Sequence, residues 1–367
     1  MNILIIDNAS ISLKDGRTFT NALNGIFINE MIGLGNSLTY FQFGSSSSNN
    51  ISSFDLEEHG VKCILLSHKK GKIFSYLTAY LKAIKVIKAS DFVYLYYPNS
   101  FKYIAFLCLL LKKPYGLYIR GMNGLGDKVS HYIYRHAYTV FTVSDYFTKM
   151  VNQVTGRDIA HTIRPMIPYT DADVVVGREY IEREEYNLLF LGRIAADKGL
   201  AELMQAAKQL HDKGYQFKLK VVGNGEFSPQ LSQMVADMKL QNFVSLEGPV
   251  YDNEKKADYY KKADLYILPT YHEGFPRTLY EAMIFGTPII TTFVGGIPAL
   301  MKDGENSKRI EPRSVDSIVV NLTYAMDNYL EMGKMARCAS SLVSEIVDSN
   351  RLTHAQHLNQ VLEQYVK

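Results

Sequence analysis

The sequence predicts an α/β protein of two domains, each a doubly wound parallel sheet with helices on both faces. Three observations predict it. A chain of 367 residues is long for one hydrophobic core. Short apolar runs alternate with helical patterns through both halves, as in parallel strands joined by crossover helices. Between the halves, residues 163–185 combine prolines, acids and no strong period, and read as a linker. The expected domains are 1–168 and 169–345, followed by a helical segment 346–367.

In the first half, strands are expected at NILIID (2–7), SLTYFQFG (37–44), KCILLS (62–67), FVYLYY (92–97), YGLYIR (115–120) and TVFTVS (139–144). TNALNGIFINEMIGLG (20–35) is a helix that stops at glycines. IFSYLTAYLKAIKVIK (73–88) has apolar residues at 77, 80, 81, 84 and 87, which is helical spacing. SSSSNN (45–50) is a polar loop. The second half repeats the plan with NLLFLG (187–192), FKLKVVG (217–223), NFVSLEG (242–248), DLYILP (264–269) and TPIITT (287–292), and SNRLTHAQHLNQVLEQYVK (349–367) is helical.

Bulk properties narrow the class. A net charge of +3 gives no reason to expect a nucleic-acid partner. Cys63, Cys108 and Cys338 are far apart, lack metal spacing, and read as buried thiols of a reducing compartment. MNILIIDNAS opens as a buried strand and not as a signal peptide. The longest apolar run, IAFLCLLL (104–111), is too short to span a bilayer, so a cytoplasmic location is expected. The charge is unevenly placed. Lys62, Lys69, Lys70, Lys72, Lys82, Lys85, Lys88, Lys102, Lys112 and Lys113 are opposed over that span only by Asp91. One reading is a core-facing helix with a solvated lysine face. The other is a surface for anionic lipid, where each lysine contributes about 1 kcal/mol.

The densest chemistry lies in TYHEGFPRTLYEAMIFGTPIITTFVGG (270–296). Glu273 and Glu281 stand eight positions apart around a Gly-Phe-Pro that reads as a helix start. A helix N-terminus offers unpaired N–H groups and partial positive charge, which favour phosphate, and Pro276 suits its first turn. Eight helical residues turn by about 80° and rise about 12 Å. The two acids therefore cannot chelate one ion, but they can contact opposite ends of an elongated ligand with a diphosphate in its middle. The plainer reading makes Glu273 a helix cap and Glu281 a solvated residue.

Two further motifs follow strands. In FLGRIAADKGL (190–200), Arg193 and Lys198 flank a strand-to-helix turn. Two cations at one turn can offset the charge that grows on a diphosphate leaving group; otherwise they are surface residues. VVGNGE (221–226) contains Gly223, Asn224 and a second glycine, a weak dinucleotide signal because position 228 is Ser. Strand-following loops meet at the carboxyl edge of such a sheet, where ligands bind. Asp171-Ala172-Asp173 could hold a divalent ion on a diphosphate, but it sits in the expected linker and reads as a solvated loop. His131, His136, His161 and His272 show no metal-ligand spacing.

The run E-G-F-P-x-x-x-x-E-A-M-x-x-G-x-P-I-I resembles the E-x7-E signature of retaining glycosyltransferases of family 4, which have the GT-B fold. FLGRIAADKGL, VVGNGE and LEGPVYDNEKKADYYKKADLYILPT (246–270) agree with that family in order and spacing over 186–310. The resemblance implies two Rossmann-like domains facing a central cleft, with the acceptor on the first, the nucleotide sugar on the second, and a C-terminal helix crossing back. It implies a metal-independent enzyme without cofactor. Glu273, Arg193 and Lys198 would then be catalytic. Gly223 and Asn224 would lie along the nucleotide, Glu281 would accept from the ribose hydroxyls, and the amides of Gly274 and Phe275 would touch the diphosphate or sugar. The implied partners are a nucleoside-diphosphate sugar and a lipid-linked saccharide of a bacterial surface polysaccharide, met at the inner face of the membrane. The first half departs from the family. The paired glycines after the first strand are replaced by SLKDGRTFTN, with Gly16 single beside Arg17, and YIRGMNG puts Arg120 where a His is common. These three residues are assigned to the acceptor or phosphate side. A nucleotide-sugar epimerase and a nicotinamide-dependent oxidoreductase are the alternatives, the latter lacking its G-x-G-x-x-G after the first strand.

Overall fold

The structure, a computed structural model, describes residues 1–7, 11–45, 52–66, 72–121 and 125–366. The polar run 46–50, Lys69, Lys70 and the 122–124 part of YIRGMNG lie outside the described residues. The chain divides into two compact units, Met1–Met166 with Leu352–Lys367, and Ile167–Arg351.

The first unit contains β1 (Asn2–Ile6), β2 (Ile11–Lys14), β3 (Arg17–Asn21), α1 (Ala22–Gly33), β4 (Ser37–Ser45), β5 (Ser52–Asp55), β6 (Lys62–Leu66), α2 (Lys72–Ala89), β7 (Phe92–Tyr97), α3 (Ile104–Leu110), β8 (Tyr115–Ile119), α4 (Lys128–His136), β9 (Thr139–Thr142), α5 (Asp145–Thr155) and β10 (Ala160–Thr162). Its parallel strands lie in the order β6-β4-β1-β7-β8-β9-β10. The order reverses between β1 and β7, which is the switch point of a doubly wound sheet. Every residue of β7 and β8 is buried, as expected of parallel strands covered on both faces.

SLKDGRTFTN, expected as a loop, forms most of a hairpin. β2 and β3 pair antiparallel, with Lys14 opposite Arg17, through a two-residue turn in which Asp15 and Gly16 both take positive φ (49° and 76°), the type I′ geometry of tight hairpins. β5 pairs with β3, and β2 with the end of β4. The pattern was hidden because the inward positions other than Ile11 are polar. Ser12, Thr18 and Thr20 are buried while Leu13 is exposed, which inverts the usual alternation.

The second unit contains β11 (Tyr186–Leu191), α6 (Leu200–Asp212), β12 (Phe217–Val222), α7 (Ser228–Asp237), β13 (Val244–Gly248), α8 (Asn253–Lys262), β14 (Leu265–Leu268), α9 (Arg277–Ile284), β15 (Ile289–Thr292), β16 (Lys308–Ile310), α10 (Val315–Asp327) and α11 (Tyr329–Ile346). The sheet is wholly parallel, in the order β13-β12-β11-β14-β15-β16. Its switch point lies between β11 and β14.

The stretch expected as a linker is instead tied to the second unit. The Val175 N–H donates to the Ile284 carbonyl at 2.8 Å. The Arg178 guanidinium donates to the Phe285 carbonyl at 2.9 Å, and the buried Tyr180 hydroxyl to the Gly286 carbonyl at 2.8 Å. Single side chains anchor it, so it carries no period. Asp171 and Asp173 sit on a 3-10 turn, where their carboxylates accept from the N–H groups of Ser349 (3.0 Å) and Thr170 (2.8 Å).

The chain ends in α12 (His354–Val366), which packs in the first unit against α1. Ala355, Leu358 and Leu362 enter a core cluster with Phe27, Ile28 and Tyr94. Of the three cysteines only Cys108 is buried; Cys63 is half-buried and Cys338 exposed. Among the described residues no helix is long and apolar enough to cross a membrane.

Candidate active site

The second unit's expected site residues gather at the carboxyl edge of its sheet, around the β11/β14 switch point. Four strand-following loops are stitched there by backbone hydrogen bonds. The Ile194 N–H donates to the Asn224 carbonyl (3.0 Å), the Tyr271 N–H to the Asp197 carbonyl (2.8 Å), and the Gly296 N–H to the Gly274 carbonyl (2.7 Å). Glycines permit the close approach. A Cβ on Gly223 (φ +149°) would lie 1.9 Å from the Gly192 carbonyl oxygen, and one on Gly295 (φ +59°) 1.8 Å from that of Glu273. Neither space admits a side chain, and both backbone conformations favour glycine.

On this frame the Lys198 ammonium forms an ion pair with the Glu273 carboxylate. The pair is largely shielded, with side-chain exposures of 10% and 20%. Arg193 is held differently. Its guanidinium reaches Glu226 at 2.8 Å and Asp197 at 3.3 Å, but its side chain is 55% exposed and that of Glu226 66%. Exposed pairs of this kind contribute about 0–1 kcal/mol. A diphosphate can therefore take over the Arg193 guanidinium at small cost, while Lys198 stays fixed beside Glu273.

Glu281 lies elsewhere in this cluster. It is buried on α9, and its carboxylate accepts from the Tyr260 hydroxyl at 2.8 Å. Burial pushes its pKa up, and the charges of Lys256 and Arg277 work against that shift. Glu273 stands ahead of α9 and caps nothing; Pro276 is the N-cap, without a side-chain cap bond. The Leu279 N–H donates back to the Pro276 carbonyl at 3.1 Å, which tightens the start of the helix. Asn224 accepts from the Gly225 N–H (2.8 Å) and the Ser228 hydroxyl (3.0 Å), which fixes the Gly223–Gly225 turn. The Phe275 and Tyr280 rings pack 4.6 Å apart.

Residues 178–340 match the family model described as glycosyl transferases group 1. The chain carries a glycosyltransferase group 1 domain. The 2-deoxystreptamine N-acetyl-D-glucosaminyltransferase of Niallia circulans is 34% identical over 131 residues, 36% of this chain and 33% of that protein. An amylovoran biosynthesis glycosyltransferase of Erwinia amylovora is 32% identical over 145 residues, 35% of each chain. The match spans about a third of the length of these curated relatives. The solved structure of Anabaena HepE in complex with UDP and glucose superposes over the whole chain, with a TM-score of 0.68, 17% identity and 99% of its own length covered. The fold is that of the GT-B glycosyltransferases. All eight residues expected on the donor and catalytic side lie within the glycosyltransferase domain.

The other three lie in the first unit. Gly16 forms the hairpin turn, and Arg17 is ion-paired to Asp55 (2.7 Å) and Glu58 (3.2 Å). Arg120 follows β8, with its guanidinium over the Tyr96 and Tyr118 rings at 5.5 and 5.8 Å. Four strands separate β3 from β8 in the sheet order, so Arg17 and Arg120 do not form one cluster. Sequence reasoning missed Asp197, Glu226, Tyr260 and Gly295. The first two lie within FLGRIAADKGL and VVGNGE, and Gly295 is the first of the two glycines that end the 270–296 run. Tyr260 carried no local signal. Among the described residues no group of three or more metal-ligating side chains is gathered.

Proposed function

We propose that the chain is a retaining, metal-independent glycosyltransferase. It moves a hexose-type sugar from a nucleoside diphosphate to an acceptor hydroxyl on a lipid-linked saccharide, in the synthesis of a bacterial surface polysaccharide at the cytoplasmic face of the membrane. The observation that carries this reading is the shielded Lys198–Glu273 pair beside Arg193 at the switch point, within the group 1 domain. The relative in amylovoran biosynthesis and the UDP-bound structural neighbour support the polysaccharide and the donor.

In this reading the acceptor O–H attacks the anomeric carbon on the face from which the diphosphate departs. The bond from that carbon to the β-phosphate oxygen breaks through an oxocarbenium-like state, and the departing phosphate takes the acceptor proton. Lys198 and Arg193 offset the charge that develops on it. Glu273 orients the transferred sugar and the ammonium beside it. Gly223 and Asn224 lie along the nucleotide, the amides of Gly274 and Phe275 meet the diphosphate or sugar, and Glu281 accepts from the ribose hydroxyls. The first unit receives the acceptor, with Gly16, Arg17 and Arg120 as its contacts. Asp171 and Asp173 are engaged by backbone N–H groups, which leaves Arg193 and Lys198 to carry the charge.

A panel of nucleotide sugars, assayed for hydrolysis and transfer with and without EDTA, tests the reading. One donor class should turn over, the rate should survive chelation, and the product should keep the donor's anomeric configuration. An inverted product, turnover of no nucleotide sugar, or activity lost to EDTA and restored by Mn²⁺ would overturn it.

A further inference from the structure

Three successive crossover helices of the first unit each turn an apolar stripe outward. On α2 it is Phe74, Leu77 and Leu81, and on α3 it is Tyr103, at the helix start, with Phe106 and Leu110. Both sets follow i, i+3, i+7. On α4 it is Val129 and Tyr132. These residues are not stray edges of the core, because the opposite faces of the same helices supply it: Ala79, Ala83 and Ile87, then Ile104 and Cys108, then Ile133. The stripes adjoin. α2 contacts α3, and α3 contacts α4. The Tyr103 and Phe106 rings stack at 6.3 Å, and Phe106 stacks on Tyr132 at 5.7 Å. Leu77, Leu81 and Leu110 are 57%, 62% and 77% exposed. A contiguous apolar face of this kind marks an interaction surface.

The charge on the same face is one-sided. α2, α3 and α4 contain no Asp or Glu. The flanking acids are engaged: Asp91 accepts the Asn2 N–H at 2.7 Å, and Asp127 caps α4 through Ser130 at 2.8 Å. Lys82, Lys85 and Lys88 continue the outward face of α2 where its leucines end, and Lys112 follows α3; all four are exposed. Lys102 rests over the Tyr103 ring. Protein–protein interfaces are depleted in lysine. Lysines beside leucines and tyrosines are instead the composition of helices that lie in a lipid interface.

We propose that the α2–α3–α4 face docks the chain on an anionic phospholipid bilayer, with the apolar stripes entering the interface and the lysines meeting lipid phosphates. This deepens the proposed function by naming the surface on which a lipid-linked acceptor is met. It fails separately from that function, since nucleotide-sugar hydrolysis needs no vesicle.

Co-sedimentation of the full chain with phosphatidylcholine vesicles, with and without phosphatidylglycerol, tests it. The chain should pellet with the anionic vesicles only, and the binding should fade as the Debye length falls from about 10 Å at 0.1 M salt to about 3 Å at 1 M. Replacing Lys82, Lys85 and Lys88 with Gln should lower partitioning about a hundredfold, at about fivefold each. Leu77→Ser with Leu81→Ser, and separately Phe106→Ser with Leu110→Ser, should lower it about tenfold, with thermal melting and donor hydrolysis unchanged. Absence of binding, equal pelleting with neutral vesicles, or wild-type partitioning by the apolar variants would overturn the proposal. So would a dimer in velocity sedimentation that the apolar variants dissolve, because a second copy would then cover the face.

Discussion

Lys198 and Arg193 are both cations at one turn, yet their surroundings give them different duties. Lys198 is shielded beside Glu273, while Arg193 is exposed and held by the exposed Glu226 and the partly exposed Asp197. Loss of either should cost about 2–4 kcal/mol of transition-state stabilisation, read as a fall in kcat of about 30-fold to 10³-fold, if each meets the leaving diphosphate. Glu281 differs again. Its pKa is raised by burial, so the charged form is disfavoured in the fold. The sign follows. The penalty is absent below the ordinary glutamate pKa and is fully present once pH has risen through the raised folded value. Glu281→Gln should therefore melt higher than wild type at pH 8 and level with it in acid. It should also raise KM for the donor with little change in kcat, the pattern of lost uniform binding. Melting curves at the two pH values, with steady-state kinetics, check both halves. A variant that is less stable at pH 8, or that loses kcat alone, would place Glu281 in another role.

At the scale of elements, α12 shows how a terminal helix is fixed by chemistry as well as packing. His354, at its start, is fully buried, with a ring nitrogen 2.5 Å from the Tyr94 hydroxyl, and burial, aided by the charges of His357 and Arg120, holds its pKa down at about 3. His161 and His357, with ring centroids 5.0 Å apart, are also shifted down, chiefly by burial. A depressed histidine contributes stability above the unfolded pKa of about 6.5, and that stability is lost as pH falls toward the folded value. Between those limits the unfolded chain binds the extra proton, and His354 alone should contribute a slope of roughly 1 kcal/mol per pH unit. Urea unfolding of the first unit at pH 7.5 and 5 should show the loss, and His354→Phe should flatten it. An unchanged slope in the variant would assign the acid sensitivity to His161 and His357.

Elements of this kind also mark what could be read in advance. The parallel strands β1, β4, β7 and β8, and the helix 73–88, were legible because apolar runs and helical spacing are local. So was the gathering of Arg193, Lys198, Gly223 and Glu273 at one sheet edge, since each of their motifs follows a strand of the second half. The β2–β3 hairpin was not, because its buried positions apart from Ile11 are Ser and Thr. Nor were the tie of 167–180 to the second unit and the Tyr260–Glu281 bond. These depend on single side chains meeting partners far along the chain, such as Arg178 with Phe285, and no periodicity records such contacts.

At the scale of the whole molecule, the two units keep separate cores. One large cluster fills Ile167–Arg351, and two clusters fill the first unit. The residues proposed to hold the donor all belong to the 185-residue second unit. A nucleoside diphosphate that binds only its folded state stabilises it by RT ln(1 + [L]/Kd), about 2.7 kcal/mol at a hundredfold excess over Kd. For a unit of this size each kcal/mol raises Tm by about 2–4 °C, so its transition should rise by about 5–10 °C while that of the first unit stays in place. Hydrogen exchange reports the same event residue by residue. Amides of the loops 192–199, 223–228, 270–281 and 293–297 should slow with UDP or another accepted nucleotide, because these loops share the stitching around Lys198 and Glu273. The buried strands β7 and β8 belong to the other core and should exchange at their unliganded rates. Protection confined to the first unit, or a rise in its transition alone, would move the nucleotide site to the β1/β7 switch point and reverse the assignment of donor and acceptor to the two units.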